Sequence, residues 1–263
     1  MNQERFLAAC QRAVDMSRMR EGIGRLGEKT IHAALKYYFE PEEQGHEIQI
    51  GGFVADIVGE NGIIEIQTRQ LFRLKKKLEA YLPVCPVTVV YPIIRNKWVI
   101  WMDMETGELT PKRKSPKTGN FYEAFVELYG IKPFLNHPNL QICLLLLDAE
   151  EYRYLNGWSR DKKKGSSRCD RIPIGLSEER CFSSAVDYLQ LVPSLKDGFT
   201  SLDFGKSVRI SRSLAQTALN VLESVGAVRR LGRDGKGYLY ARTDLSLLAA
   251  EETDRRLNGV LDL

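Results

Sequence analysis

The sequence predicts an α/β domain followed by a smaller, helix-rich C-terminal domain. Three observations carry this. Apolar residues recur at helical spacing through residues 1–40, the pattern switches to short β-branched runs between residues 47 and 67, and helical spacing returns at Gln70–Tyr81. At 263 residues the chain can hold two domains, each with a core of its own. The boundaries read as 1–155 for the α/β domain with its N-terminal helix, 156–177 for a basic linker or loop, and 178–263 for the C-terminal domain.

Phe6, Cys10, Ala13, Met16 and Met19 mark a first helix, which Gly22 and Gly24 interrupt. A second helix over Leu26–Phe39 carries Ile31, Leu35 and Tyr38 on one stripe and ends near Pro41. Strands follow at Glu47–Ile50, Phe53–Val58 and Gly62–Gln67, separated by Gly51-Gly52 and by Gly59-Glu60-Asn61-Gly62. Leu71, Leu74, Leu78 and Tyr81 then stripe a helix that Pro83 and Pro86 close. Val87–Tyr91 reads as a buried strand, Trp98–Met102 as another, Phe121–Tyr129 as a short helix and Gln141–Leu147 as a further strand. Cys181–Leu191 reads as an amphipathic helix and Ser201–Val208 as a short one. Ser211 caps a helix through Leu214, Ala218, Leu222 and Val225 that Gly226 stops, before two short strands around a Gly232–Gly237 turn.

Composition narrows the chemistry. No apolar run approaches the ~18 residues that span a bilayer, and Met1–Arg20 has no signal-peptide core, so a cytoplasmic protein without a membrane partner is expected. Five scattered cysteines without a CxxC pair argue against a disulfide framework and a structural zinc site. With three histidines, none at i, i+4 spacing, any metal would sit on carboxylates, which points to Mg²⁺ or Mn²⁺. Lys and Arg gather at Arg73–Lys77, Lys112–Lys117, Arg160–Arg171 and Arg229–Lys236, which suggests a polyanionic partner.

The acids that could hold the metal lie around the Asn61-Gly62 turn. Strand alternation puts Val54, Asp56 and Val58 on one face, and Glu65 and Gln67 on a common face of the partner strand. A turn centred on Glu60-Asn61 sets Asp56 opposite Glu65; one centred on Asn61-Gly62 sets it opposite Gln67. In either register the three polar side chains share a face, with Ile64 and Ile66 on the other. Two carboxylates converging on an apolar hairpin repel each other unless a cation lies between them. As isolated acids they would read as solvent-facing strand residues.

Glu28 in a helix, then Asp56, then Glu65-Ile66-Gln67 closing a strand, then a basic helix resembles the PD-(D/E)XK (restriction-endonuclease-like) nuclease superfamily. The resemblance implies an αβββαβ core with a mixed sheet flanked by helices. It implies a divalent metal on Asp56, Glu65 and the Ile66 carbonyl, with Glu28 assisting, and metal-dependent hydrolysis of DNA by an endodeoxyribonuclease. Most members carry lysine where this chain has Gln67. Gln67 can position a water but cannot take its proton, and Arg69 or Lys75 could supply the missing charge. The alternative is a catalytically inactive nuclease-fold DNA-binding protein or transcriptional regulator; basic clusters alone would also fit RNA.

The C-terminal region resembles winged helix-turn-helix domains over residues 198–242, through Ile210–Gln216 and Leu222–Val228. Arg212, Ser213, Gln216, Thr217 and Asn220 would face a major groove, and Arg229, Arg230, Arg233 and Lys236 would line the wing against phosphates. Tyr238 and Tyr240 read as packing residues. DNA is the expected partner, and cutting both strands would favour a homodimer.

Overall fold

A computed structural model describes residues 2–21, 30–156, 167–235 and 237–244, with side chains of residues 17–21 left out. The chain divides into two compact units: 1–70, 76–121 and 142–180 form the first, and 71–75, 122–141 and the chain from 181 onward form the second.

The first unit is an α/β layer structure. Helices α1 (Gln3–Glu21) and α2 (Thr30–Phe39) precede strands β1 (His46–Ile50), β2 (Phe53–Gly59) and β3 (Gly62–Ile66), helix α3 (Lys75–Tyr81), and strands β4 (Val87–Met102), β5 (Arg113–Lys114), β6 (Leu140–Tyr154) and β7 (Ser167–Phe182). The sheet runs β1-β2-β3-β4-β6-β7, with β5 also on β4. β1 pairs with β2 and β2 with β3 antiparallel, while β3 pairs with β4 parallel, so the sheet is mixed. One core joins α1 and α2 to the sheet through Phe6, Cys10, Ile31, Leu35, Ile57 and Leu145. The helical stripe and the strand alternation therefore close on each other.

Two glycine pairs set the hairpins by different means. Gly51 and Gly52 both take positive φ (57° and 83°) between paired Ile50 and Phe53, as a tight two-residue turn needs. At the second hairpin Gly59 pairs with Gly62, so the loop is Glu60-Asn61. Gly62 is held by a close approach: a Cβ there would lie 2.3 Å from the Pro86 carbonyl, which accepts from Ile63 N–H.

The expected strands 87–91 and 98–102 are one 16-residue strand, β4. Pro92 does not break it. The β3–β4 pairing ends at Ile66↔Val90, so the side of β4 on which Pro92 lacks an N–H has already lost its neighbour. The linker reading of 156–177 is corrected from residue 167 on, because β7 begins there; residues 157–166 lie outside the described ones. Ile172, Ile174 and Leu176 supply the strand's alternation, which the surrounding charge obscures. Likewise the helix read at Cys181–Leu191 begins only at Ala185, since Cys181 and Phe182 finish β7 and Ser184 caps the next turn in a box with Asp187.

In the second unit, short helices α4 (Phe125–Leu128) and α5 (Ala185–Tyr188) accompany α6 (Ser201–Ser207), α7 (Arg212–Ser224) and a hairpin of β8 (Val228–Asp234) with β9 (Gly237–Arg242). Ser211 accepts from Leu214 N–H at the start of α7. At its end Ala227 N–H reaches the Leu222 carbonyl across Gly226, whose φ is 80°. Phe125, Leu128, Phe204, Ala215, Leu219 and Leu222 are fully buried at the centre of this unit. Among the described residues no helix is long and apolar enough to cross a membrane.

Candidate functional site

The β2–β3 register, Ile57↔Ile64 and Val58↔Ile63, continues to set Asp56 beside Glu65, the first of the two registers left open by the sequence. Ile66 N–H donates to Asp56 Oδ2 at 2.8 Å. The Glu65 side chain is only 1% exposed and that of Asp56 19%. Burial of two acids requires partners. For Glu65 the partner is Lys77 on α3, whose ammonium lies 2.7 and 2.9 Å from its oxygens and 2.6 Å from the Val54 carbonyl. For Asp56 it is His32 on α2, with Nε2 3.3 Å from Oδ2.

Burial and the Asp56 charge push Glu65 up to about 7, against the pull of Lys77. Burial also works to raise Asp56, but His32, the Ile66 N–H and Lys77 outweigh it and hold this carboxyl below its ordinary value. The two acids are thus driven apart, as paired carboxyls in sites of acid–base and metal chemistry are. Glu47 adds a third carboxylate to the field around Asp56, from a backbone with φ 54°. Tyr81, one turn beyond Lys77, is 1% exposed, and its hydroxyl has no hydrogen-bond partner among the described residues. Burial, then Glu65 and Asp56, raise the Tyr81 pKa. A buried orphan hydroxyl facing acids is a donor available to a bound water or ligand oxygen.

Glu65 gives a direct test by pH. Its folded pKa lies above the 4.5 of the free group, so the folded state holds a proton that the unfolded chain has released. Its contribution to stability is full below pH 4.5 and is lost as pH rises towards 7, by on the order of 3 kcal/mol. Urea unfolding of wild type and Glu65→Gln should therefore differ in slope over that window, with the variant flatter. Parallel profiles would show that Glu65 is ionised throughout.

The donor set suits a hard divalent cation: two neighbouring carboxylates and the adjacent Ile66 main chain, all oxygen. Among the described residues no donor reaches Asp56 Oδ1, while Lys77 binds both oxygens of Glu65. A cation on Glu65 would therefore share that carboxylate with Lys77.

The remaining expected residues separate. Gln67 follows β3, and its amide donates to the Arg69 carbonyl at 2.6 Å. Glu28 lies outside the described residues. Lys75 is solvent-exposed; the cation that meets Glu65 is Lys77, the innermost of its run. His32, Glu47, Lys77 and Tyr81 were missed by sequence reasoning. Only Tyr81 had a signal, its place on the buried stripe, and that signal spoke of packing.

In the second unit Arg212, Ser213 and Gln216 are exposed on the first turns of α7, and Thr217 is half-buried with its hydroxyl on the Ser213 carbonyl. Asn220 instead accepts from Lys132 at 2.9 Å, which ties it to the segment before β6. Arg230 pairs with Glu223 at 2.5 Å, and Arg229 lies 3.7 Å from Asp197. Arg230 and Arg233 place guanidiniums 4.0 and 4.4 Å from the Tyr238 ring centre. Tyr240 packs on Phe199 as a core residue. Lys236 lies outside the described residues.

A family model described as a domain of unknown function (DUF8091) matches residues 29–183, a stretch that takes in Asp56, Glu65 and Lys77. A protein of Treponema pallidum (strain Nichols), described as uncharacterized, is 34% identical over 147 residues. That stretch is 56% of this chain and 56% of that protein, so the match spans little more than half of either. No solved structure matches the chain.

Proposed function

The chain belongs to the DUF8091 family of domains of unknown function, and we propose that it is a metal-dependent deoxyribonuclease of the PD-(D/E)XK kind. One observation carries the reading: Asp56 and Glu65 stand side by side on a hairpin, both largely buried, with a helix-borne lysine on Glu65. A structural ion pair needs one acid for its lysine. Here a second acid lies beside the first with its Oδ1 open among the described residues, and the Tyr81 hydroxyl nearby suits a bound oxygen ligand.

In this reading Asp56, Glu65 and the Ile66 carbonyl hold Mg²⁺ or Mn²⁺. The ion, when bound, lowers the pKa of a water and neutralises charge on the phosphate. Lys77 supplies the positive charge that Gln67 lacks, reaching the site from α3 rather than from β3. His32 orients Asp56 through Oδ2, leaving Oδ1 for the ion. Tyr81 donates to a water or phosphate oxygen. With Arg69 accepting its amide hydrogen, Gln67 orients solvent at most. Glu28 remains an assisting acid in the proposal.

The second unit would bring the DNA. Helix α6, the turn through Ile210, helix α7 and the β8–β9 hairpin follow the winged helix order. Arg212, Ser213 and Gln216 are the exposed base-reading candidates, with Thr217 beside them. Asn220 contributes through α7's anchorage. Arg229, Arg230 and Arg233 stiffen the wing by their pairings and leave further N–H donors for phosphates.

The deciding experiment incubates supercoiled, linear, branched and single-stranded DNA with the protein and Mg²⁺, Mn²⁺ or chelator. Wild type should nick or cut only with metal, and Asp56→Ala/Glu65→Ala should lose at least about 10²-fold in rate. Cleavage surviving in the double variant would sink this site. Binding without cleavage on any substrate would favour a non-catalytic DNA-binding protein, the reading that Gln67 supports.

A further inference from the structure

Cations from three adjacent strands, β4, β6 and β7, meet on one buried acid. Glu151 of β6 is fully buried. Strand alternation puts it on the same face as Arg153 and opposite to Glu150 and Tyr152. The Arg153 Nε donates to Oε1 at 2.6 Å, and the Arg171 Nε, from β7, donates to Oε2 at the same distance. Lys97 of β4 spans both oxygens at 3.3 and 3.4 Å. Arg168 stands further out, 3.6 Å from Oε2.

A buried carboxylate needs one cation, and this one has more. Lys97, Arg153 and Arg171 face a single acid, which leaves two positive charges unmatched. Burial, and then Arg171 and Arg153, press the Lys97 pKa down against the pull of Glu151. Donors are left over as well. Among the described residues the two Nη atoms of Arg171 and the Nη1 of Arg153 make no hydrogen bond. The three side chains are 21–25% exposed, so a solute reaches them from one side while Glu151 holds them from the other. Trp101, on the same face of β4 as Lys97, lies with its ring centre 5.8 Å from the Arg153 guanidinium and braces it.

We infer that Lys97, Arg153 and Arg171 form an oxyanion site that takes a phosphate monoester. Such a group carries about two negative charges near neutral pH, which equals the excess on the cluster. Its three terminal oxygens suit the Arg171 fork, the spare Arg153 donor and the Lys97 ammonium. A phosphodiester carries one negative charge and would leave half of the excess in place. Glu151 fixes the cations before a ligand arrives, so little side-chain freedom is lost on binding. The same chemistry belongs to the terminal phosphate of a polynucleotide and to a free nucleotide. The inference rests on this cluster alone and is independent of the nuclease reading.

The test is calorimetric titration of the full chain, in chelator, with two matched pairs of probes. One pair is thymidine 5′-monophosphate and thymidine; the other is a short oligonucleotide with a 5′-phosphate or a 5′-hydroxyl. In at least one pair the phosphorylated member should bind at least about 10-fold more tightly to wild type. A preference within the nucleoside pair supports a free nucleotide as ligand, and one confined to the oligonucleotides supports a polynucleotide end. Arg171→Gln should abolish the preference. Arg171→Lys, which keeps a cation on Glu151 and loses the fork, should reduce it, and it carries the test if Arg171→Gln does not fold. Lys112→Ala/Lys114→Ala, on the opposite face of the sheet, should leave it unchanged. Equal binding within both pairs overturns the inference. So does a preference that survives undiminished in the Arg171 variants, or one that is lost in the Lys112/Lys114 variant.

Discussion

Lys77→Met is expected to lower stability at pH 8 by about 2–3 kcal/mol and to slow metal-dependent cleavage by about 10²-fold. The side chain is near methionine's length and its recorded contacts are made by the ammonium, so the change is chiefly the loss of that charge. Without it Glu65, 1% exposed and beside Asp56, has lost the cation that it pairs with among the described residues. Glu65 then takes up a proton at still higher pH, which limits the penalty to the cost of that protonation.

The sign of the pH response separates this account from simple packing loss. A carboxyl raised above 4.5 in the fold is stabilised by acid, so Lys77→Met should recover towards wild type between pH 8 and pH 5.5. Mn²⁺ should stabilise the variant more than wild type, since the ion replaces the missing charge and no longer shares Glu65 with an ammonium. Lys77→Arg should restore stability better than activity, because a planar guanidinium cannot reproduce the three contacts of the ammonium. A deficit equal at both pH values, and indifferent to Mn²⁺, would show that Lys77 acts by packing alone.

How far these residues could be read in advance depends on the range of the contacts involved. The acidic pair was legible because strand period and a two-residue turn are local: Asp56 and Glu65 share a hairpin, and only the register was open. That register was settled by Gly62, and the reason lies in Pro86, more than twenty residues downstream, whose carbonyl leaves no room for a Cβ. Lys77 is a member of a basic run of four adjacent candidates; nothing local distinguishes the one that turns inward. His32 reaches Asp56 across the layer between helix and sheet, a contact that no spacing rule contains. The α/β class was legible from the change of hydrophobic period, while the mixed sheet flanked by helices was expected from the family resemblance. The lengths of β6 and β7 were not legible, because their outer halves carry Asp, Glu and Arg where a strand's apolar alternation would be sought, and β4 was read as two strands because Arg95-Asn96-Lys97 separates its apolar halves. Those polar halves pair through side chains on neighbouring strands, and that is why the basic runs looked like loops.

Glu151 is the most consequential of those polar strand residues, and Glu151→Ala is expected to destabilise the first unit by about 3–5 kcal/mol. The carboxylate is wholly buried and Lys97, Arg153 and Arg171 converge on it. Removing it leaves three cations with unsatisfied donors and mutual repulsion, which costs more than the pairing itself contributes. Burial works to raise the Glu151 pKa, but the converging cations outweigh it and hold it down at about 2. A depressed carboxyl contributes stability that is fully present above its unfolded value of 4.5 and is lost as pH falls towards 2. Wild type should therefore lose stability through that acid range by more than Glu151→Ala does, and the two should converge at its lower end. Glu151→Gln, which keeps one acceptor oxygen and loses the charge, should fall between them. High salt should rescue Glu151→Ala in part, since ions screen the exposed edge of the cluster. A loss below about 1 kcal/mol, insensitive to salt and pH, would mean that the cations spread apart without Glu151 and that it does not hold them together.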